Sequence, residues 1–165
     1  MLSSREQMPI DPKFPKRPPR LHLLFSSREP FYFVTFNTYK RLPSLAHVEI
    51  HEAFRAFSIR AEKYNVAVGR YVIMPDHIHL FVAFPPVGPT LPKWVQMLRT
   101  VIGKTLLRIG IQKPHWQEGF FDHLLRSAES YAEKWDYVRM NPVRARLCDV
   151  PEQWAYQGEI VSIKF

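Results

Sequence analysis

One cysteine, Cys148, stands among 165 residues. The chain can therefore form no internal disulfide and lacks the second thiol that a cysteine-based zinc site needs, a usage that suits a reducing cytoplasm. Long apolar runs are missing as well. None follows the first residues, and the least charged stretch, 77–92, is broken by Pro85, Pro86, Pro89 and Pro92. Neither a signal peptide nor a membrane span is expected. No internal repeat is visible. Negative charge is scarce: 15 Asp and Glu face 23 Lys and Arg, a formal charge of +8. That balance favours a polyanionic partner such as nucleic acid or an anionic membrane, although solubility alone also explains it.

What is present suffices for one core. With 46% hydrophobic and 14% aromatic residues, a single compact domain is the expectation. Residues 1–24 differ from the rest. Pro9, Pro12, Pro15, Pro18 and Pro19 alternate there with Lys13, Lys16, Arg17 and Arg20, which reads as a basic arm ahead of a domain over 25–165.

Periodicity divides that domain. Phe31–Phe36 is β-branched and aromatic, a buried strand. Between Leu45 and Tyr64 the apolar residues Ile50, Phe54, Phe57, Ala61 and Tyr64 recur at helical steps, and Asn65 can end the helix in the left-handed conformation. Val66–Met74 and His77–Phe84 flank Pro75-Asp76 and predict an antiparallel hairpin. Leu91–Ile109 carries Trp94, Leu98, Val101, Ile102 and Ile109 on one side of a second helix. Gly119–Leu125 reads as a fourth strand. Ser130-x-x-Glu133 resembles a capping box opening a third helix toward Asn141. The order is an α+β, ferredoxin-like split βαβ with one added C-terminal helix, its antiparallel sheet covered on one face.

Two places carry chemistry. In His77-Ile78-His79 strand alternation sends both imidazoles to one face, a partial metal site that still lacks a third ligand. Paired histidines also occur on merely solvated faces. Here the apolar flank Ile78, Leu80, Phe81, Val82 marks a half-buried central strand, where unpartnered histidines are costly. In the third helix Tyr131, Trp135, Val138, Pro142 and Ala145 form the apolar stripe. Tyr137 points about 120° away from it, with Lys134 and Asn141 nearby, and Asn141 lies at i+4 beside the tyrosine. A bordering tyrosine and an asparagine that ends a helix before Pro142 explain the same pattern.

Three segments together resemble one family. Tyr71-Val-Ile-Met-Pro-Asp-His-Ile-His-Leu-Phe81, Trp116-Gln-Glu-Gly-Phe-Phe-Asp-His-Leu-Leu-Arg126 and Tyr137-Val-Arg-Met-Asn-Pro-Val-Arg-Ala145 are similar to the bacterial single-tyrosine HUH transposases. Among these they look most like the domesticated REP-associated tyrosine transposases, over roughly Phe31 to Ile160. The resemblance implies a ferredoxin-like fold and Mg²⁺ or Mn²⁺ held by His77 and His79, with Asn141 as a third ligand where relatives use the longer glutamine. It also implies Tyr137 as the nucleophile that joins a 5′-phosphate of single-stranded DNA beside a REP-like palindromic hairpin. Arg146 stands where relatives often carry glycine, which puts the local turn in question.

Other residues have weaker claims. His123 and Asp122 are candidate bases for Tyr137, although a packed, backbone-bonded His123 is the commoner arrangement. His22, His47, His51 and His115 carry no spacing signal. Lys13, Lys16, Arg17, Arg20, Lys104, Arg108, Arg126, Arg139, Arg144 and Arg146 are candidate phosphate contacts. Trp94, Trp116 and Phe120 suit either base stacking or the core. Three other activities compete. They are a non-catalytic nucleic-acid binder built on the sheet, a hydrolase that uses metal-bound water, and a two-histidine phosphodiesterase, whose paired His-x-Ser/Thr motifs are absent. Monomer and homodimer both remain open.

Overall fold

The computed structural model describes residues 29–164; the basic arm, with Lys13, Lys16, Arg17, Arg20 and His22, lies outside them. Strand β1 (Phe31–Asn37) leads to α1 (Val48–Arg60), the hairpin β2 (Ala67–Met74) and β3 (His77–Ala83), α2 (Leu91–Arg108), β4 (Phe121–Leu125), α3 (Ala128–Arg139), α4 (Asn141–Arg144) and β5 (Gln157–Glu159). The strands pair antiparallel in the order β4-β1-β3-β2-β5. Without β5 this is the split βαβ arrangement, with β3 inserted between the parallel strands β1 and β2.

Alternation on β3 sorts its side chains. Ile78, Leu80 and Val82 are fully buried against α1 and α2, where Ile50, Phe54, Trp94, Leu98, Ile102 and Leu106 complete the larger core. The other face carries His77, His79, Phe81 and Ala83. α1 is shorter than its periodicity suggests. It passes into a 3₁₀ turn over Ala61–Tyr64, and Asn65 ends that turn at φ 55°, ψ 26°, as its residue type predicts.

Three features depart from the sequence expectations. The sheet is covered on both faces: Phe31, Phe33 and Phe81 form a second, smaller core with Tyr131, Trp135 and Val138 of α3. A row of phenyl rings is too apolar to leave in water, so the added helix caps it. β5 is a fifth strand of three residues whose Tyr71↔Gly158 pairing extends the β2 edge; so short a polar strand shows no period. The cap of α3 is Ser127, whose hydroxyl accepts from the Ser130 N–H at 3.1 Å. Ser130 and Glu133 therefore lie inside the helix and form no capping box.

Candidate functional site

Register brings the first side chains together. On β3, His79 pairs with Thr35 of β1 and Val72 of β2, and His77 pairs with Asn37 and Met74. Both rings project from one face, with their Nε2 atoms 3.0 Å apart. Each Nδ1 is held from behind: that of His77 lies 2.6 Å from Asp76 Oδ1 and that of His79 lies 2.7 Å from Thr35 Oγ1. Phe33 stacks on the His79 ring at 5.4 Å.

Burial governs the charge state. It pushes His79 down to about 3, helped by the positive charges of His77, Arg41, Arg144 and Lys134. His77 is lowered by burial too, although the hydrogen bond and charge of Asp76 oppose the shift. Both rings are therefore neutral at neutral pH, each with one N–H and one lone pair. The Asp76 carboxylate fixes the His77 proton on Nδ1, leaving its Nε2 as a lone pair. A hydroxyl both donates and accepts, so Thr35 tolerates either tautomer of His79. When His79 donates from Nε2, the rings bond each other. When it donates from Nδ1 to Thr35, two lone pairs converge. The second state fits a divalent cation, with its orienting partners already in place.

The tyrosine helix supplies the other side chains. Tyr131, Val138 and Pro142 are buried as the apolar stripe predicts, whereas Ala145, beyond α4, is exposed. Tyr137 is 65% exposed. Lys134, Tyr137, Asn141 and Arg144, at steps of three, four and three, share one ridge along α3 and α4. Lys134 Nζ lies 5.0 Å from the centroid of Phe33, the ring stacked on His79, so the ridge begins over the histidine face. The Arg144 guanidinium covers the Tyr137 ring at 4.1 Å and donates to the Tyr137 carbonyl and to Asn141 Oδ1. Asn141, the expected third ligand, thus serves Arg144 here. Among the described residues no group of three or more His, Cys, Asp or Glu could hold a metal ion.

The remaining candidates scatter. His123 pairs with Phe33 and shares the histidine face, but it is exposed on the edge strand β4 and is not the packed residue expected. Asp122 pairs with Val34 and turns to the opposite face. Lys104 and Arg108 are exposed on α2, across the sheet from the histidines. Arg126 and Arg146 are exposed. Arg139 is engaged by Asp136 at 3.2 Å and Glu152 at 3.5 Å. Trp94 is core, Trp116 donates to the Arg99 carbonyl at 3.1 Å and Phe120 packs against the larger core. Trp94 is thus a buried core residue, whereas Trp116 and Phe120 are only partly buried. His51 bonds Tyr71 at 2.8 Å and His115 bonds the Ile111 carbonyl at 2.9 Å.

Sequence reasoning missed Thr35, Arg41 and the role of Asp76. Asp76 reads as a turn residue, yet its second oxygen also pairs with Arg41 Nε at 2.9 Å. Its adjacency to His77 was the available signal; Thr35 needed the strand register.

The chain matches no family model. A Haemophilus influenzae protein named as a REP-associated tyrosine transposase is 28% identical over 137 residues, covering 77% of this chain and 78% of that one. A solved structure, of a REP-associated tyrosine transposase bound to a REP hairpin, aligns at TM-score 0.60 and 19% identity over 82% of this chain and 89% of that one. Another, of a Deinococcus radiodurans R1 protein described as a transposase, aligns at TM-score 0.49 and 17% identity over 67% and 88% of the two chains. In sequence this chain is similar to the REP-associated tyrosine transposases, and it shares their fold.

Proposed function

We propose that the protein cleaves and rejoins single-stranded DNA beside a palindromic hairpin, with Tyr137 as nucleophile and a divalent metal, Mg²⁺ or Mn²⁺, held by His77, His79 and Asn141. The carrying observation is the pair of neutral imidazoles, Nε2 to Nε2, braced by Asp76 and Thr35 on the sheet face that the Tyr137 helix covers. A hairpin partner is a property of the fold neighbour; its extension to this chain rests on the shared fold, the similar relative and the +8 charge.

A divalent ion at the pair supplies Lewis-acid polarisation of the scissile phosphate. The chain's own residues do the rest. The Tyr137 hydroxyl, exposed to solvent, attacks phosphorus, so a bond from tyrosine oxygen to phosphorus forms as the bond to the 3′-oxygen breaks. The phenol proton leaves to solvent or to a base on the same face, where His123 stands and Asp122 does not. The 3′-oxygen takes up a proton and becomes a free hydroxyl. Attack by another 3′-hydroxyl on the phosphotyrosine reverses the bond changes and rejoins DNA. Exposed cations, Arg126 and Arg146 among them, serve affinity.

Incubation with a panel of hairpin oligonucleotides and Mn²⁺ tests this. Wild type is expected to form a covalent adduct that survives boiling in detergent. Tyr137→Phe should stay folded, bind the hairpin and form none; His77→Ala and His79→Ala should bind without cutting. Cleavage at the wild-type rate by Tyr137→Phe refutes the nucleophile. Hairpin binding by wild type with no adduct under any metal leaves a non-catalytic binding protein.

A further inference from the structure

The Arg144 guanidinium meets three features at once. It lies flat on the ring of Tyr137, donates to the Tyr137 carbonyl, and donates to Asn141 Oδ1. An amide oxygen that accepts from a cation is in the electrostatic position of one that ligates a metal. Lys134 anchors the same ridge over the Phe33–His79 stack.

We infer that Arg144 is an internal latch, a cation that occupies the amide oxygen of Asn141 and covers the nucleophile's ring until a DNA phosphate draws it away. This rests on the metal and nucleophile roles proposed above. Arg144 has no acidic ion-pair partner among the described residues, whereas Arg41, Arg70 and Arg139 each do. An exposed guanidinium held only by an amide, a carbonyl and a ring face exchanges those contacts readily for a phosphate, which it binds through two parallel N–H donors and with full charge. Its departure from the ridge uncovers the Tyr137 ring and frees Asn141 in one motion. Metal and DNA are thereby linked. Without DNA the metal competes with Arg144 for one oxygen, and with DNA it does not.

Mn²⁺ binding measures the latch without any turnover. Isothermal titration of metal-free protein should show Arg144→Gln binding Mn²⁺ about 2- to 10-fold more tightly than wild type, the range expected on removing one charged competitor for an exposed acceptor. In an Asn141→Ala background the same substitution should change nothing. Arg144→Lys keeps the charge but loses the planar fork, and it should tighten binding less than Arg144→Gln. It also provides a folded comparison if the glutamine variant loses its circular dichroism. In a Tyr137→Phe background, which keeps the ring and prevents cleavage, a hairpin oligonucleotide should raise Mn²⁺ affinity more when Arg144 is present than when it is glutamine. Equal Mn²⁺ affinity in wild type and both Arg144 variants, with binding lost in His79→Ala, overturns the latch and leaves the metal site standing. Mn²⁺ binding that survives both histidine substitutions overturns the site and the latch together.

Discussion

Asp76 offers the sharpest separation of site chemistry from fold stability. Its Oδ1 lies 2.6 Å from His77 Nδ1 and its Oδ2 lies 2.9 Å from Arg41 Nε. The Arg41 side chain is 52% exposed, so that ion pair is worth no more than about 1 kcal/mol and its loss leaves the domain folded. The contact to His77 acts on a proposed metal ligand. A carboxylate behind a metal-binding imidazole fixes its tautomer and raises its basicity, and removing one typically lowers metal affinity about 10- to 100-fold, or roughly 1.4–2.7 kcal/mol. Asp76→Asn keeps an acceptor for the ring N–H and loses the charge, so it belongs near the tenfold end; Asp76→Ala loses both and belongs near the other. Mn²⁺ titration of the three proteins, with urea unfolding of the same samples, reads the two effects separately. Wild-type Mn²⁺ affinity in Asp76→Ala refutes the orientation of His77 by Asp76. A loss of stability above about 2 kcal/mol in Asp76→Asn shows that the Arg41 bridge was misjudged as a surface pair.

Other outcomes follow from the same geometry. Arg146 sits at φ 58°, so Arg146→Gly relieves left-handed strain of about 1–2 kcal/mol while adding freedom to the unfolded chain, for a net gain of roughly 0.5–1 kcal/mol and a few degrees in Tm; an unchanged or lower Tm contradicts the strain. A Cβ on Gly158 would stand 2.9 Å from the hydroxyl of Tyr71, which is fully buried and bonded to His51, so Gly158→Ala should cost about 1–3 kcal/mol in urea. Stability should also fall with acid: the unfolded chain takes up a proton at His79 near the ordinary value of 6.5, whereas the folded chain resists it down to about 3. Metal-free protein therefore loses stability as pH drops from 6.5 toward 5, by roughly 1 kcal/mol per unit from this residue. Urea midpoints should show His79→Gln with a flatter profile over that window, and an equal slope in the variant means that His79 is not the group responsible.

Much of this was legible in residue order because the determinants were local or periodic. The hairpin around Pro75-Asp76, the alternation that sends His77 and His79 to one face, the left-handed Asn65 and the outward Tyr137 each depend on a few neighbouring residues. The failures have a shared cause. Thr35 reaches His79 from 44 positions away, and only the register of β1 against β3 makes that pair. Likewise α3 covers the second face because of Phe31, Phe33 and Phe81 on two strands at once, a surface that no single stretch displays. β5 is held by the β2 edge and not by its own composition. Lys104 and Arg108 show the converse limit, since a charge count sees ten cations but not which side of the sheet each occupies.

The two halves of the site are fastened to the fold very differently. The histidines belong to a strand paired on both sides at the centre of the sheet, so their backbone opens only when the domain does. The tyrosine rides on a twelve-residue helix held to the sheet mainly through Tyr131, Trp135 and Val138, and the helical path is interrupted at Met140 immediately afterwards. Partial unfolding of that helix costs less than global unfolding. It displaces Tyr137, the proposed nucleophile, while the imidazoles keep their arrangement, so under the proposed function a thermally stressed molecule would stop reacting with DNA well before its sheet melted.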